Sequence, residues 1–181
     1  MVTDVLVALR RAAKVDAVLV VTCEPRAESL ALGWGADVVS DPKERGHNEA
    51  AEIGVAAARE RGATRILLVP GDCPSLDAHE VDDLLGDGPG VIVVPDRHGT
   101  GTNALVLDPP DAIAPGFGPG SRDRHVERAE EAGLHVAVRE IPSLMLDVDT
   151  GEDLLALEEA LAASTGGAAH TRGMLARLGR L

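Results

Sequence analysis

The first half of the chain alternates between amphipathic stretches and short aliphatic runs. Apolar residues recur at helical spacing in three segments, and an aliphatic run of strand length follows each of them. The predicted helices cover residues 4–13, 26–32 and 48–61, and the strands cover 16–22, 36–40 and 64–69. Continuous aliphatic runs are typical of strands that are covered on both faces. The alternation therefore predicts a doubly wound α/β sheet.

The second half departs from this rhythm at two adjacent strands. Residues 91–95 and 103–107 both have strand character, but only the sequence DRHGTGT connects them. A parallel crossover needs a dozen or more residues, so one strand is predicted to run antiparallel in an otherwise mostly parallel sheet. The remaining predicted elements are helices over 77–85, 121–132 and 152–163 and a strand over 134–139.

Together these elements predict one three-layer, Rossmann-like α/β domain over residues 1–163, followed by a tail over 164–181. The total of 181 residues is an ordinary size for one domain. The tail is rich in Gly, Ala and Arg and has weak periodicity, so a helix over 172–181 remains an open alternative.

Composition narrows the function classes. The chain has 17 Lys plus Arg against 30 Asp plus Glu, a formal charge of −13, which excludes the basic footprint of a nucleic-acid-binding protein. Trp34 and Phe117 are the only aromatic residues, so the core is aliphatic. Cys23 and Cys73 are far apart and fit neither a disulfide framework nor a zinc knuckle, which favours reduced thiols.

Location is predicted from the absence of hydrophobic spans. No segment approaches the roughly 18 apolar residues of a membrane span, and the N-terminal order of acidic, apolar and basic residues is the reverse of a secretory signal. These features predict a soluble cytoplasmic protein without a membrane partner. A homodimer is compatible with the sequence, which does not determine the oligomeric state.

Ligands of open α/β sheets bind beyond the carboxyl ends of the strands, and two acidic loops are predicted there. Asp72 follows the strand 64–69 in the stiff sequence PGDCP, where it could hold a metal or simply cap a turn. Asp147 and Asp149 precede the last helix, where Asp149 or Thr150 could be only its N-cap. If the loops meet, two carboxylates about 4 Å apart repel by roughly 4 kcal/mol. Mg²⁺ would relieve that repulsion and hold substrate phosphates.

Glycine-rich loops supply candidate anion sites. Residues 116–122 run into a helix whose start offers free N–H groups and the positive end of the dipole, although an ordinary connection with a Ser121 cap has the same pattern. Residues 98–103 could serve the same anion or form a plain hairpin turn. Asn48 could contact a base edge or cap its helix. His79, His125, His135 and His170 lie in ordinary contexts and are interpreted as surface residues.

These loops resemble one known family. The sequences PGDCP at 70–74, PDRHGTGTNAL at 95–105, FGPGSR at 117–122 and DVDT at 147–150 resemble the phosphoenolpyruvate or 2-phospho-L-lactate guanylyltransferases of coenzyme F-420 biosynthesis. The resemblance runs from residue 4 to about 163. PDRHGTGTNAL together with FGPGSR is specific to that family, whereas PGDCP and DVDT occur across the wider nucleotidyltransferase superfamily.

The resemblance implies a nucleotidyltransferase-type fold that transfers GMP from GTP to a small phosphorylated carboxylic acid and releases pyrophosphate. It implies Mg²⁺ on Asp72 and Asp149, with Asp147 as a weaker metal ligand. The implied acceptor-binding residues are Thr102, Gly118 and Ser121, with Gly101 and Asn103 beside them. The implied nucleotide-binding residues are Gly46 and Asn48, near the guanine, together with Gly71.

One departure from the family concerns its first strand. Family members usually begin with a strand and a Lys- and Arg-bearing loop that grips the triphosphate, and this sequence starts at the helix after that point. Either the start of the sequence is misassigned or truncated, or the protein lacks part of the donor site. A missing strand is also expected to leave open edges in the sheet. The alternative functions are another GTP-dependent cofactor nucleotidyltransferase, such as a molybdopterin guanylyltransferase, and a noncatalytic binder of phosphorylated metabolites.

Overall fold

The computed structural model of the chain describes residues 1–164 and 166–181. Its elements follow one another in the alternating order that the sequence predicts. They are α1 (Val2–Arg11), β1 (Leu19–Thr22), α2 (Pro25–Gly33), β2 (Asp37–Ser40), α3 (His47–Glu60), β3 (Ile66–Leu68), α4 (Ala78–Gly86), β4 (Gly90–Pro95), β5 (Thr102–Asp108), α5 (Ser121–Glu131), β6 (Val136–Val138), α6 (Gly151–Ala163) and α7 (Ala169–Arg177).

One strand of the larger sheet is antiparallel, as predicted. β3, β5, β4 and β6 lie side by side in that order, and β5 runs antiparallel to both of its neighbours. β6 is parallel to β4. Because β5 is reversed, its first residue Thr102 lies opposite Pro95, at the edge where β3 and β4 end. Residues from three neighbouring strands therefore meet at one rim of the sheet.

The strands form two sheets rather than one. Within the described ranges, β1 pairs only with β2, in parallel, and β3 pairs only with β5. Every residue of β1 and β3 is only half-buried, whereas β4 is buried along its whole length. Half-burial is what strands with an open edge should show, since one side of each lacks the cover of a neighbouring strand.

The core lies on both faces of the larger sheet. Successive residues of β4 alternate between the faces: Ile92 and Val94 pack with α1 and α4, whereas Val91 and Val93 pack with α3 and α5. Burial of each such aliphatic side chain contributes about 1.5–3 kcal/mol. The result is the predicted three-layer arrangement, which holds the rim of the sheet rigid.

The C-terminal segment is helical and is anchored to the start of the chain. The buried carboxylate of Asp4 accepts hydrogen bonds from the backbone amides of His170 and Thr171, both at 2.9 Å, and from the Thr171 hydroxyl at 2.7 Å. Asp4 thereby satisfies the free amides at the beginning of α7. Across the described residues, none of the helices combines the length and apolar character that a membrane crossing requires.

The alternative in which Asn48 and Ser121 serve as helix caps is wrong. Gly46 occupies the N-cap of α3 and Gly120 that of α5, and neither helix has a side-chain cap. Asn48 and Ser121 instead lie within the first turns, where their polar groups bond to other segments. Glycine suits both N-cap positions because their φ angles are 110° and 69°, which side-chain-bearing residues rarely adopt.

Candidate active site

Asp72 lies beyond the carboxyl end of β3 and carries an unsatisfied oxygen. Its Oδ1 atom is buried and has no hydrogen-bond partner among the described residues. Burial raises the pKa of Asp72, and the negative charges of Asp147 and Asp149 raise it further. A hydrogen bond from its own backbone amide and the charge of His47 lower the pKa, but the net shift is upward. The two acidic loops therefore share one electrostatic neighbourhood, and the orphaned oxygen calls for a proton or a cation.

Cys73 shows the same concentration of negative charge. Burial raises the pKa of its thiol, and the charges of Asp72, Asp147 and Asp149 add to that effect. The thiol is fully buried and donates to the carbonyl oxygen of Leu144 at 3.7 Å. This contact links the loop after β3 to the loop that carries the other two carboxylates. A thiol held in this state is a packing group, since the thiolate is the nucleophilic form.

Asn103 fixes the acidic loop to the sheet. Its buried side-chain amide donates to the carbonyl oxygen of Leu144 at 2.9 Å and to Oδ1 of Asp147 at 3.0 Å. Thr102 precedes it in β5 and contacts His125 of α5, the helix that packs on the opposite face of the sheet from Leu144. Asn103 therefore binds the acidic loop on one face of β5, and Thr102 binds a second polar group on the other face.

Asp149 is held through a capping box at the start of α6. Its backbone amide donates to Oδ2 of Asp153 at 3.3 Å, and the amide and hydroxyl of Thr150 donate to the same oxygen at 2.7 Å each. Oδ1 of Asp153 pairs with Arg97 at 2.6 Å. The hydrogen bond from the Thr150 side chain contributes most to lowering the pKa of Asp153. The Thr150 amide, the charge of Arg97 and the Asp149 amide lower it further. Arg97 thus ties the β4–β5 loop to the acidic loop.

A buried polar group occupies the other face of β5. The Thr102 hydroxyl lies 3.0 Å from Nδ1 of His125 and accepts from the Ser121 hydroxyl at 3.1 Å. Nε2 of His125 accepts from the backbone amide of Gly116 at 2.9 Å. Burial, with the charges of Arg128 and then Arg124, lowers the pKa of His125 to about 4. The interpretation of His125 as a surface residue is therefore wrong, since it is fully buried.

The glycine-rich loop ends at this polar group. Gly118 and Gly120 both have positive φ angles, 108° and 69°, which let the chain turn sharply into α5. The Ser121 amide donates to the Gly118 carbonyl at 3.0 Å, and the Arg122 amide donates to the Thr100 carbonyl at 3.2 Å. The start of α5 and its positive dipole end are thus fixed beside the β4–β5 loop, an arrangement suited to an anion.

Asn48 connects the start of α3 to the same loop. Its Oδ1 accepts from the Phe117 amide at 2.6 Å and its Nδ2 donates to the Phe117 carbonyl at 3.2 Å. The Phe117 ring lies between the rings of His47 and His125, with centroid separations of 4.7 Å and 5.4 Å. Because the Asn48 amide is already paired, a base that contacts it would have to share or replace these bonds.

The comparisons with known proteins decide the family. The family model described as "Guanylyl transferase CofC like" matches residues 1–179. The chain belongs to the CofC-like guanylyl transferase family. It is 54% identical over 182 residues to a phosphoenolpyruvate guanylyltransferase from Conexibacter woesei, covering 98% of this chain and 82% of that relative. It is 40% identical over 159 residues to a 3-phospho-D-glycerate guanylyltransferase from Phenylobacterium zucineum, covering 84% and 72%.

Solved structures agree on the fold of this guanylyl transferase. A nucleotidyl transferase from Methanothermobacter matches with a TM-score of 0.67 at 21% identity, over 89% of this chain and 82% of that one. At this identity the likeness shows the nucleotidyltransferase fold alone. The mixed sheet with one reversed strand is therefore the fold that the sequence resemblance implies.

The acidic residues of the guanylyl transferase fit a cation that a substrate helps to hold. Among residues 1–164 and 166–181, no three His, Cys, Asp or Glu side chains converge closely enough to chelate an ion unaided. The orphaned oxygen of Asp72 and the charges of Asp147 and Asp149 nevertheless supply hard, anionic oxygen donors. Mg²⁺ is commonly bound by one or two carboxylates together with substrate phosphates, and this donor set suits it.

The remaining predicted residues lie around these groups. Gly71 is exposed beside Asp72, and Gly46 is exposed at the start of α3. Gly101 precedes Thr102 and is constrained by space, because a Cβ atom there would lie 2.5 Å from Oδ2 of Asp96. The predicted residues thus lie at the start of β5, at the starts of α3 and α5, and on the loops that adjoin them and the acidic segments.

Sequence reasoning missed two residues of this arrangement. His125 follows Ser121 by four positions on the predicted helix, so the two share a helix face, and this spacing could have singled it out. Arg97 had no such signal, because its partner Asp153 is distant in sequence and an arginine in a loop is ordinarily solvated. Only the three-dimensional arrangement identifies it.

Proposed function

We propose that this chain transfers a guanylyl group from GTP to phosphoenolpyruvate, releasing pyrophosphate, in the biosynthesis of coenzyme F-420. The observation that carries the proposal is that two adjacent residues of β5 each hold a different part of the site. Asn103 holds the acidic loop, and Thr102 holds the hydroxyls at the start of α5. One group suits a cation with a triphosphate, and the other suits an anionic acceptor.

The acceptor class is supported by the relatives and by the chemistry of the site. The relatives from Conexibacter woesei and Phenylobacterium zucineum are named for phosphoenolpyruvate and 3-phospho-D-glycerate, both three-carbon phosphorylated acids. The Thr102 hydroxyl lies beside a helix start and can donate to a phosphate or carboxylate oxygen, whereas the Ser121 hydroxyl already donates to Thr102. We choose phosphoenolpyruvate because the relative at 54% identity carries that name. The alternatives are 2-phospho-L-lactate and 3-phospho-D-glycerate.

The reaction needs no protein base. An oxygen of the acceptor phosphate attacks the α-phosphorus of GTP in line, a new P–O bond forms, and the bond from the α-phosphorus to the bridging oxygen breaks to release pyrophosphate. A phosphate monoester has a second pKa of about 6 and is mostly dianionic at pH 7. The nucleophile is therefore already deprotonated, and the protein has to align and neutralise the reactants.

Neutralisation is the main electrostatic problem, since two polyanions meet on a chain with a formal charge of −13. Asp72 and Asp149 would hold Mg²⁺, with Asp147 oriented beside them by Asn103. The ion would supply positive charge to the triphosphate and to the pyrophosphate leaving group. The positive dipole end at the start of α5 would supply it to the acceptor.

The nucleotide base is assigned to the start of α3. Asn48 bonds to Phe117, Gly46 is the N-cap of the same helix, and Gly71 precedes the Asp72 carboxylate. A reaction of GTP with a phosphorylated metabolite belongs in the cytoplasm, and the free thiols of Cys23 and Cys73 fit that reducing compartment.

The test is a set of parallel incubations. The purified chain is mixed with GTP and MgCl₂ and with phosphoenolpyruvate, 2-phospho-L-lactate, 3-phospho-D-glycerate or molybdopterin, with CTP as the control nucleotide. Pyrophosphate is quantified, and the guanylylated product is identified by mass spectrometry. Pyrophosphate and product with GTP and phosphoenolpyruvate are expected. Turnover with a different acceptor would correct the substrate, and no turnover with any acceptor would contradict the proposed reaction.

Calorimetry separates the enzyme from a binding protein. Phosphoenolpyruvate and GTP are titrated separately into the chain in the presence of Mg²⁺. Binding of both is expected for the transferase. Binding of phosphoenolpyruvate alone, without GTP binding or pyrophosphate release, would instead favour a noncatalytic binder of phosphorylated acids.

A further inference from the structure

We propose that His125 is a positioning residue whose neutral Nδ1–H tautomer orients the Thr102–Ser121 hydroxyl pair toward the acceptor anion. The inference rests on the proposed function for the identity of that anion. His125 is fully buried, and the reaction scheme above gives it no step. Its two ring nitrogens nevertheless contact two parts of the acceptor group, Thr102 on β5 and Gly116 on the glycine-rich loop.

The partner of Nε2 determines the tautomer. A backbone amide can only donate, so the 2.9 Å contact from the Gly116 amide requires Nε2 to accept and therefore to carry no proton. A neutral imidazole has one N–H, which must then be on Nδ1. Nδ1 consequently donates to the Thr102 hydroxyl, 3.0 Å away. The Gly116 amide thus sets the direction of a hydrogen bond on the far side of the ring.

This direction leaves one hydroxyl hydrogen free. His125, Thr102 and Ser121 contribute three hydrogens, namely one ring N–H and two O–H groups, and only two contacts join the three side chains. If Nδ1 accepted instead, both contacts would consume the two O–H hydrogens and none would remain. With Nδ1–H donating, one hydroxyl hydrogen is left for a ligand. The tautomer therefore decides whether this pair can donate to an anion.

The spare hydrogen belongs on Thr102. Ser121 is fully buried and donates to the Thr102 oxygen, whereas Thr102 retains 9% of its exposure. With both lone pairs of the Thr102 oxygen occupied by donors, its own hydrogen points away from His125 and Ser121. Arg124 and Arg128 are the charges that act on the ring, and both disfavour the imidazolium. The surrounding residues thus keep His125 in the form that the arrangement needs.

The packing around the ring supports a fixed orientation. The Phe117 ring contacts His125 edge-on, with centroids 5.4 Å apart and planes at 72°. A flip of the imidazole would place carbon atoms against the Gly116 amide and the Thr102 hydroxyl, which would leave the buried amide unsatisfied and remove the donor from the hydroxyl. An unsatisfied buried donor is unfavourable, so the observed ring orientation is favoured. His125 is accordingly a rigid connector between β5 and the glycine-rich loop.

Three substitutions separate positioning from simple packing. H125L removes both contacts, H125Q keeps an acceptor near the Nε2 position, and H125N keeps a donor near the Nδ1 position. We expect H125L to raise the KM for phosphoenolpyruvate by about 10- to 100-fold, the scale of a hydrogen bond to a charged group. H125Q should recover part of the loss and H125N most of it. The KM for GTP should change less than the KM for phosphoenolpyruvate in all three, because Asp72 and Asn103 are untouched and His125 reaches the start of α3 only through the Phe117 ring.

H79L is the matched control, since His79 is exposed on α4, and it should leave both KM values unchanged. A packing role alone would lower the melting temperature of H125L without the selective change in acceptor KM. Equal changes in both KM values, or wild-type acceptor KM in all three variants, would overturn the inference while leaving the guanylyl transfer standing.

Nuclear magnetic resonance of the wild-type chain provides a readout that needs neither variants nor turnover. Ring ¹⁵N shifts of His125 are recorded with and without phosphoenolpyruvate. A protonated Nδ1 that shifts on addition of the acid supports the inference even if pyrophosphate is never released, in which case only the proposed reaction fails. A protonated Nε2, or a His125 signal indifferent to phosphoenolpyruvate, would overturn it.

Discussion

Asn103 and Asp147 are 44 residues apart in the chain, yet the Asn103 amide donates a 3.0 Å hydrogen bond to the Asp147 carboxylate. The same amide nitrogen also donates to the Leu144 carbonyl at 2.9 Å. Asn103 is on a central strand of the larger sheet, so it transmits the rigidity of that sheet to a loop that has no regular structure of its own. Asn103 is therefore the side chain that orients the Asp147 carboxylate.

Replacing Asn103 with alanine should therefore lower kcat by about tenfold or more, because the Leu144 carbonyl and the Asp147 carboxylate both lose a buried donor. The free energy of unfolding should fall by about 1–3 kcal/mol for the same reason. The measurements are pyrophosphate release under saturating substrates and urea unfolding. A variant that loses stability but keeps full kcat would show that Asn103 only stabilises the loop.

The unsatisfied oxygen of Asp72 makes a different prediction. Asp72→Asn keeps the size of the side chain but removes the charge, so turnover should fall by at least about 100-fold, the scale of losing a major electrostatic stabiliser. Stability should not fall, because the change relieves repulsion from Asp147 and Asp149. Exposed Asp83 on α4 supplies the control variant Asp83→Asn. Near-normal turnover of purified Asp72→Asn would refute the assignment of this carboxylate.

The Arg97–Asp153 ion pair should matter through the Asp149 loop. It is largely buried, with side-chain exposures of 27% and 10%, and Asp153 also binds the Thr150 hydroxyl and the Asp149 amide. Arg97→Met leaves Asp153 without its cationic partner, which destabilises the arrangement that holds the Asp149 amide.

We expect Arg97→Met to lower kcat by about tenfold and to weaken the dependence of the rate on Mg²⁺ concentration, and Arg97→Lys to retain most of both. Steady-state rates over a Mg²⁺ titration measure this. Arg139→Met, which removes the exposed pair with Asp87, is the control and should change neither quantity. If Arg97→Met titrates with Mg²⁺ as the wild type does, the ion pair has no influence on the acidic loop.

The fold was predictable where local pattern determines it. The short connection between β4 and β5 predicts their antiparallel pairing without any tertiary information, because no helical crossover fits in it. The alternation of α1 to β3 likewise follows from hydrophobic periodicity. The division into two sheets was not predicted. It depends on which strands pair with each other, and that pairing is determined by segments distant in sequence, which hydrophobic periodicity does not describe.

The site was predictable to the level of loops but not of individual contacts. Asn48 and Ser121 have the residue types and positions of helix caps, and local propensity favours that role. In the folded chain their polar groups bond to Phe117 and Thr102, partners 69 and 19 residues away. The same reason explains His125: whether a histidine on an amphipathic helix is buried depends on what packs against it, and no single-chain pattern supplies that.

The buried His125 also predicts a pH dependence of stability. Its pKa is about 4 in the folded chain and about 6.5 in the unfolded chain. Between these values the unfolded state binds more protons than the folded state, so stability falls as the pH falls from about 6.5 to 4 and is unaffected above that window. The predicted loss is at most about 3 kcal/mol, at about 1.4 kcal/mol per pH unit. The charges on the ring come from Arg128 and Arg124, whereas Thr102, Gly116 and Phe117 are neutral.

Comparison with H125L isolates the contribution of His125, because the carboxylates titrate in both proteins and their effect on stability cancels in the difference. The free energy of unfolding is measured by urea denaturation at pH 4 to 8 for the two chains. The wild type should lose stability faster than H125L between pH 6.5 and 4, and the two curves should run parallel above pH 7. Parallel curves over the whole range would mean that His125 titrates alike in the folded and unfolded chain. The neutral, hydrogen-bonded ring between Gly116 and Thr102 would then not describe the protein in solution.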